Sequence, residues 1–239
     1  QVFYTRDAKQ DDPNYSRPSG GNSSGNGSSS GNSPSDSNSS GSKTEPASQR
    51  TVKVEASGNT YTITLPENSK GPQLVTIPNV NQGQLVVIVH ADGQKEIVKK
   101  SILEDGRAKF LLEQNATVMV EDYSNPFIDV NSSTWYASAV DFAAGRGLFA
   151  GVSQNTFAPD LPLTRGMLTT VLFRLEGARP QMAQSRFPDV ADGAWYAQGI
   201  IWAAENDIVG GYTDGRFGPN DKITREQLAV MLFRYAQLL

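Results

Sequence analysis

The sequence repeats itself, and that constrains its fold more than any single segment does. With Phe127 aligned to Phe187 at a constant offset of 60, 17 of the 49 positions ending at Leu175 and Tyr235 are identical without a gap. A repeat of this length implies supersecondary units that bury their apolar faces against one another. LPLTRGMLTTVLFRL (161–175) and DKITREQLAVMLFRY (221–235) show it most plainly. Each copy reads as helix, loop, helix. In the second copy Trp195, Gly199, Ile200, Ala203 and Ala204 fall on one helical stripe, and Leu228, Met231, Leu232 and Tyr235 on another. The Gly- and Asp-rich GGYTDGRFGPNDK between them fixes a loop, with Phe217 expected to tuck back between the helices.

The start of each second helix carries the chemistry. Thr224 and Gln227 fit a capping box, in which each side chain satisfies a backbone donor at the other residue. The first copy keeps the cap, Thr164, but has Gly166 and Met167 in its first turn, so its helix start is expected to be weaker by up to about 1 kcal/mol. Capping leaves Arg165 and Arg225 unexplained, because a cation in the first turn opposes the helix dipole. Two readings stay open: an ion pair to the neighbouring copy, for instance with Asp129 or Asp189, or an anion site made by the guanidinium and free helix N–H groups.

FPDVADGAWY, GGYTDGRFGPNDK and ITREQLAVMLFRY in the second copy, and FIDVNSSTWY, FAGVSQNTFAP and LTRGMLTTVLFRL in the first, together resemble the S-layer homology module. The resemblance covers about half of the chain. It implies modules that usually occur in threes, pack as a pseudo-threefold helical bundle, and bind secondary cell-wall polymers, often through a pyruvylated amino sugar. By motif position, Arg165 and Arg225 would meet the carboxylate, Trp135 and Trp195 would offer faces to the sugar, and Asp129 and Asp189 would bond its hydroxyls. Asp214 and Glu226 complete the candidate set, with Thr164, Thr224 and Gln227 as structural caps. The first copy departs from the pattern in having Gln154-Asn155 for Asp214-Gly215 and Gly166 for Glu226, so its groove is expected to bind less well or only to scaffold.

Ahead of the repeats, residues 51–122 alternate with period two through TVKVEA, YTITL, QLVTI, QLVVIVH, EIVKK and ATVMVED, which predicts a small antiparallel β domain. Asp92-Gly93 is read as a two-residue hairpin, and His90, the only histidine, as structural. This segment looks like the region preceding such modules in some surface proteins of Firmicutes. Residues 1–50 are read as a disordered linker, since between Ser19 and Ser42 only Pro34 and Asp36 are not Gly, Ser or Asn. Such a tract cannot bury enough apolar surface to offset its ordering entropy and spans roughly 27 Å as a coil.

The expected fold is therefore α+β: linker 1–50, β domain 51–122, first repeat 123–180 and second repeat 181–239, with the third repeat of an incomplete pseudo-threefold bundle lying beyond Leu239. A net charge of −4 without long single-sign runs leaves no footprint for nucleic acid or an anionic membrane, and no apolar run reaches membrane-spanning length. With no cysteine, disulfides and thiolate metal sites are excluded, and neither cofactor nor metal is expected. The expected role is a non-catalytic anchor at the extracellular cell wall or surface layer. Its partner is a peptidoglycan-linked polysaccharide, and the face meant for a missing repeat exposes the chain to self-association. The competing readings are a helical-repeat protein-interaction module and the anchoring fragment of a wall-degrading hydrolase. Asp189, Asp214 and Glu226 offer no pair that stands out as acid and base in a shared pocket.

Overall fold

The alternating segments form strands because one side of each can be buried against a second sheet. In the computed structural model, which describes residues 51–239, eight strands make two antiparallel sheets. These are β1 (Lys53–Ser57), β2 (Thr60–Thr64), β3 (Gln73–Pro78), β4 (Gln84–Val89), β5 (Lys95–Ile97), β6 (Ile102–Glu104), β7 (Arg107–Leu112) and β8 (Ala116–Asp122). The larger sheet runs β1-β2-β8-β4-β5 and the smaller β3-β7-β6. Ile63, Val86 and Val118 from the first interdigitate with Val75, Ile77 and Phe110 from the second in one apolar core. The linker reading of residues 1–50 lies outside the described residues.

Two details differ from the sequence reading. The Asp92-Gly93 connection is a three-residue loop closed by His90 N–H donating to the Gln94 carbonyl (2.9 Å), with Gly93 at φ +80°. The true two-residue hairpin is Asp105-Gly106, where both residues have positive φ (51° and 70°) and Glu104 pairs with Arg107. That geometry is the type I′ turn whose twist matches the strands. Its strands, β6 and β7, are missing from the sequence-based set. His90 flanks the Asp92-Gly93 loop just after β4, and its Nε2 is 3.0 Å from Glu96 Oε2.

From residue 137 the period becomes helical, and each copy supplies two helices: α1 (Ala137–Gly145) and α2 (Arg165–Glu176), then α3 (Ala197–Glu205) and α4 (Arg225–Leu238). The two copies build the same local geometry, with Phe127–Phe157 and Phe187–Phe217 ring pairs at 5.2 and 5.3 Å. Phe217 is fully buried between the helices, as expected. The largest helical core joins the copies, with Leu168 and Leu172 of α2 packing with Ile200, Trp202 and Ala203 of α3 and with Met231 and Tyr235 of α4.

Contact between α2 and α3 is close because Gly199 lets the backbones approach. A Cβ at Gly199 would lie 2.8 Å from the Cα and N of Thr170. Glycine inside a helix costs about 1 kcal/mol relative to alanine, and close packing is what retains it here.

The sheets and the repeats are also joined. Lys99 Nζ donates to the Arg174 carbonyl (2.8 Å), while Lys100 Nζ (2.9 Å) and the Tyr235 hydroxyl (2.9 Å) both reach Glu176 Oε2. Burial, reinforced by Glu176, raises the Tyr235 phenol above its ordinary value. Arg146, directly after α1, is only 1% exposed and donates to the carbonyl and hydroxyl of Ser101 (3.3 and 2.9 Å). Burial pushes its guanidinium down to about 10, and the carbonyl of Phe142 at the helix's negative end offsets part of that cost. The second copy has Asn206 in the corresponding place, bonded to its own helix at the Trp202 carbonyl.

Gly199→Ala should destabilise the protein by about 1–3 kcal/mol despite alanine's better helix propensity, because the clash falls on backbone. Thermal unfolding followed by circular dichroism reads this; an unchanged or raised midpoint would mean that α2 and α3 separate without cost.

Candidate functional site

Arg165 answers the question posed by its position. Its side chain is 5% exposed and enters the loop of the second repeat. There Nε donates to the Phe217 carbonyl (2.9 Å) and Nη2 to the Gly210 carbonyl (3.2 Å), while the guanidinium carbon lies 4.5 Å from the Phe217 ring centroid and 4.8 Å from that of Tyr212. The expected ion pair with Asp129 or Asp189 does not form.

The proposed free N–H groups of α2 are not free either. Arg165 N–H donates to the Asp221 carbonyl (3.0 Å), Gly166 N–H to the Pro219 carbonyl (2.9 Å), and Met167 N–H to Thr164 Oγ1 (3.2 Å). Gly166, read from sequence as a weakness, is what permits this: a Cβ there would sit 2.8 Å from the Pro219 oxygen. The helix start is thus satisfied by the neighbouring repeat. Thr224 and Gln227 close the expected capping box on α4.

Between the 208–212 segment and α4 lies a groove of about 340 Å³ with Arg165 in its lining. One wall is the stripe Glu226, Val230 and Arg234 of α4; Gln227 and Met231 sit beside it, and Gly210, Gly211 and Tyr212 face it. Arg165 Nη1 has no hydrogen-bond partner among the described residues, nor is any carboxylate there within ion-pair distance. A buried, fixed cation without a counter-ion therefore lines an open groove, where a charge-assisted hydrogen bond to an arriving anion would be favoured.

Of the sequence-predicted residues, the structure brings only Arg165, Glu226 and the cap Gln227 to this groove. Arg225 is exposed and lies outside its lining. Trp135 and Trp195 precede their helices, are 68% and 57% exposed, and pack edge-on against Tyr136 and Tyr196. Trp195 is therefore off the core stripe; the buried tryptophan is Trp202, which meets Phe173 and Tyr235. Asp214 forms a local turn, accepting from both the backbone and Nε of Arg216 (3.0 and 2.8 Å). Arg234 is the groove residue that sequence reasoning missed, although its identity with Arg174 was a visible signal.

Asp129 and Asp189 are clamps. The two oxygens of Asp189 accept the backbone N–H groups of Phe217 and Gly218 (both 2.8 Å), and those of Asp129 accept Phe157 and Ala158 (2.8 and 2.7 Å). The Phe157 amide is the main cause that holds Asp129 below the usual carboxylate range. Burial pushes Asp189 upward, but the Phe217 and Gly218 amides together outweigh it and hold it low. The second clamp bears on the groove, since it fixes the loop carbonyl that Arg165 uses.

Residues 126–166 and 186–229 each match the S-layer homology domain. Similar proteins include an endoglucanase of Bacillus sp. (strain KSM-635), 34% identical over 48% of this chain and 12% of its own length. The surface-layer 125 kDa protein of Lysinibacillus sphaericus is 34% identical over 45% of this chain and 10% of its own length. A cellulosome-anchoring protein of Acetivibrio thermocellus is 30% identical over 37% and 21%. The similarity thus spans a small part of each of these relatives. No helix among the described residues is long and apolar enough to cross a membrane.

Asp189→Asn should lower the melting midpoint by roughly 2–8 °C, because an amide places a donor against two N–H groups that need acceptors. The sign with pH follows from the depressed pKa. The stabilisation from Asp129 and Asp189 is complete above the unfolded carboxylate value of about 3.9 and disappears as pH falls through the lower folded value. Melting between pH 7 and pH 2 should show the Asp189→Asn deficit shrinking toward the acid end; a constant deficit would contradict the clamp.

Proposed function

We propose that the two S-layer homology repeats form a non-catalytic anchor that holds the protein at the extracellular cell wall by binding a pyruvylated wall polysaccharide in the groove beside Arg165. The observation carrying this reading is that buried guanidinium, rigidly held by carbonyls and rings, with one N–H edge unused and no counter-ion. A ketal-linked pyruvate supplies a carboxylate of matching charge and geometry. Glu226 accepts hydrogen bonds from sugar hydroxyls, and the exposed faces of Trp135 and Trp195 meet sugar rings further along the polymer. Asp129, Asp189 and Asp214 act through the loops, since their oxygens are already occupied.

A difference in burial between equivalent residues of the two copies supports a further repeat. Leu172 is 3% exposed beneath α3, whereas its counterpart Leu232 on α4 is 45% exposed; Arg165 is buried, whereas Arg225 is exposed. In this reading α4 receives the first helix of another repeat, whose loop takes Arg225, completing a pseudo-threefold bundle. Several weak grooves on one polymer then gain avidity. The names of the relatives support anchoring across different cargoes, some of them enzymes.

The test is co-sedimentation with purified, protein-free sacculi before and after mild acid removes ketal-linked pyruvate. Binding should disappear with the pyruvate, and Arg165→Lys, which keeps the charge but loses the fork, should weaken it about ten-fold or more. Undiminished binding after acid treatment would overturn the anion reading.

A further inference from the structure

A separate cavity of about 310 Å³ lies where the first repeat meets the β sandwich. Asp141 and Phe142 of α1 and Arg146 directly after it line it from the repeat; Leu85 of β4, Leu103 of β6 and Tyr123 after β8 line it from the sheets. Two charges of opposite sign meet in it, and neither has a counter-ion among the described residues. Arg146 is 1% exposed; its terminal nitrogens donate to Ser101 and to the Phe142 carbonyl, while Nε is buried with no partner. A buried donor left unpaired is costly, and native proteins hold few of them. Asp141 is half-buried, and among the described residues its carboxylate accepts only from the side-chain amide of Asn125. The Tyr123 hydroxyl has no hydrogen-bond partner there either. Burial, with the Asp141 charge adding to it, raises that phenol above its ordinary value and keeps it protonated.

We propose that this cavity is a binding site for a free α-amino acid with an apolar side chain, its ammonium group on Asp141 and the Tyr123 hydroxyl, its carboxylate on Arg146 Nε, and its side chain against Leu85, Leu103 and Phe142. A simple anion entering the cavity is repelled by Asp141 and a simple cation by Arg146, whereas a zwitterion satisfies both. The two charges spring from backbone positions only about 7.5 Å apart along the axis of α1, which suits a compact ligand. The cavity is near the small end of ligand pockets, as a single amino acid requires. Phe142 stacks on the guanidinium, its ring centroid 3.8 Å from Cζ, and at 39% exposure it is free to turn aside and admit the carboxylate. Because sandwich and repeat each supply part of the lining, an occupant fastens one to the other. The site shares no residue with the Arg165 groove.

Thermal unfolding and isothermal titration of the whole chain with L-leucine, N-acetyl-L-leucine, L-leucinamide and glycine test this. L-leucine at ten or more times its Kd should raise the melting midpoint by roughly 3–6 °C. It should bind about ten-fold or more tightly than either blocked analogue, each of which lacks one charge, and more tightly than glycine, which lacks the apolar side chain. Asp141→Asn should weaken L-leucine about five-fold or more while leaving N-acetyl-L-leucine unchanged, a selectivity that general loss of structure would not produce. Ala139→Trp, at an exposed position in the lining, should abolish L-leucine binding without lowering the midpoint of the unliganded chain. Blocked analogues that bind as tightly as L-leucine would overturn the zwitterion. L-leucine binding undiminished by Ala139→Trp, or no shift with L-leucine at all, would overturn the site.

Discussion

The insertion of Arg165 into the loop of the following repeat is the interaction on which the helical half of this molecule depends. A helix start exposes N–H groups that need acceptors, and here the first two acceptors, the Asp221 and Pro219 carbonyls, come from the next repeat rather than from water. The arginine side chain then crosses into the same loop and meets two further carbonyls and two aromatic faces. An arginine at a helix N-terminus, unfavourable when the helix is considered alone, becomes favourable because its charge is placed where carbonyl dipoles converge. The repeat is therefore a device for joining copies, and the groove is a by-product of the join.

That join works only if the receiving loop is rigid. Asp189 fixes Phe217 and Gly218 through both carboxylate oxygens, and Asp129 does the same for Phe157 and Ala158 in the first copy. The Phe217 carbonyl that receives Arg165 belongs to the clamped residue itself. Clamp, aromatic pair and inserted arginine thus form one chain of dependence from the entry of the second repeat to the groove, and disturbing any member moves the others. The β sandwich attaches on another side, through Ser101 to Arg146 and through Lys100 to Glu176, which also receives Tyr235. Glu176 consequently touches both the sheets and α4.

Much of this was legible. The repeat, the four helices, the capping box, the burial of Phe217 and most strands follow from periodicity and turn chemistry, because these are local consequences of side-chain spacing. β6 escaped because a three-residue strand carries little periodic signal, and the six-residue β7 because its exposed Leu111 blurs the alternation, although their Asp105-Gly106 turn was there to be seen. Gly166 was misjudged for a different reason. Within its own helix glycine is a defect, and only the Pro219 oxygen of the other repeat makes it a requirement. Trp195 was placed on a core stripe by spacing, but α3 begins after it, at Ala197, so its ring is left outside.

Two equivalent helical units after a β segment, and the residues they share, are readable along the chain alone, because identity at a fixed offset and hydrophobic period are properties of one dimension. What the shared residues do depends on the neighbours that folding gives them. Arg165 and Arg225 are identical in sequence, yet one is buried against carbonyls and the other is exposed. Arg174 and Arg234 are likewise identical, yet one holds a backbone and the other faces a groove. The physical reason is that the free energy of a charged side chain is set by what desolvates and accepts it, and those partners lie 26 to 52 residues away along the chain.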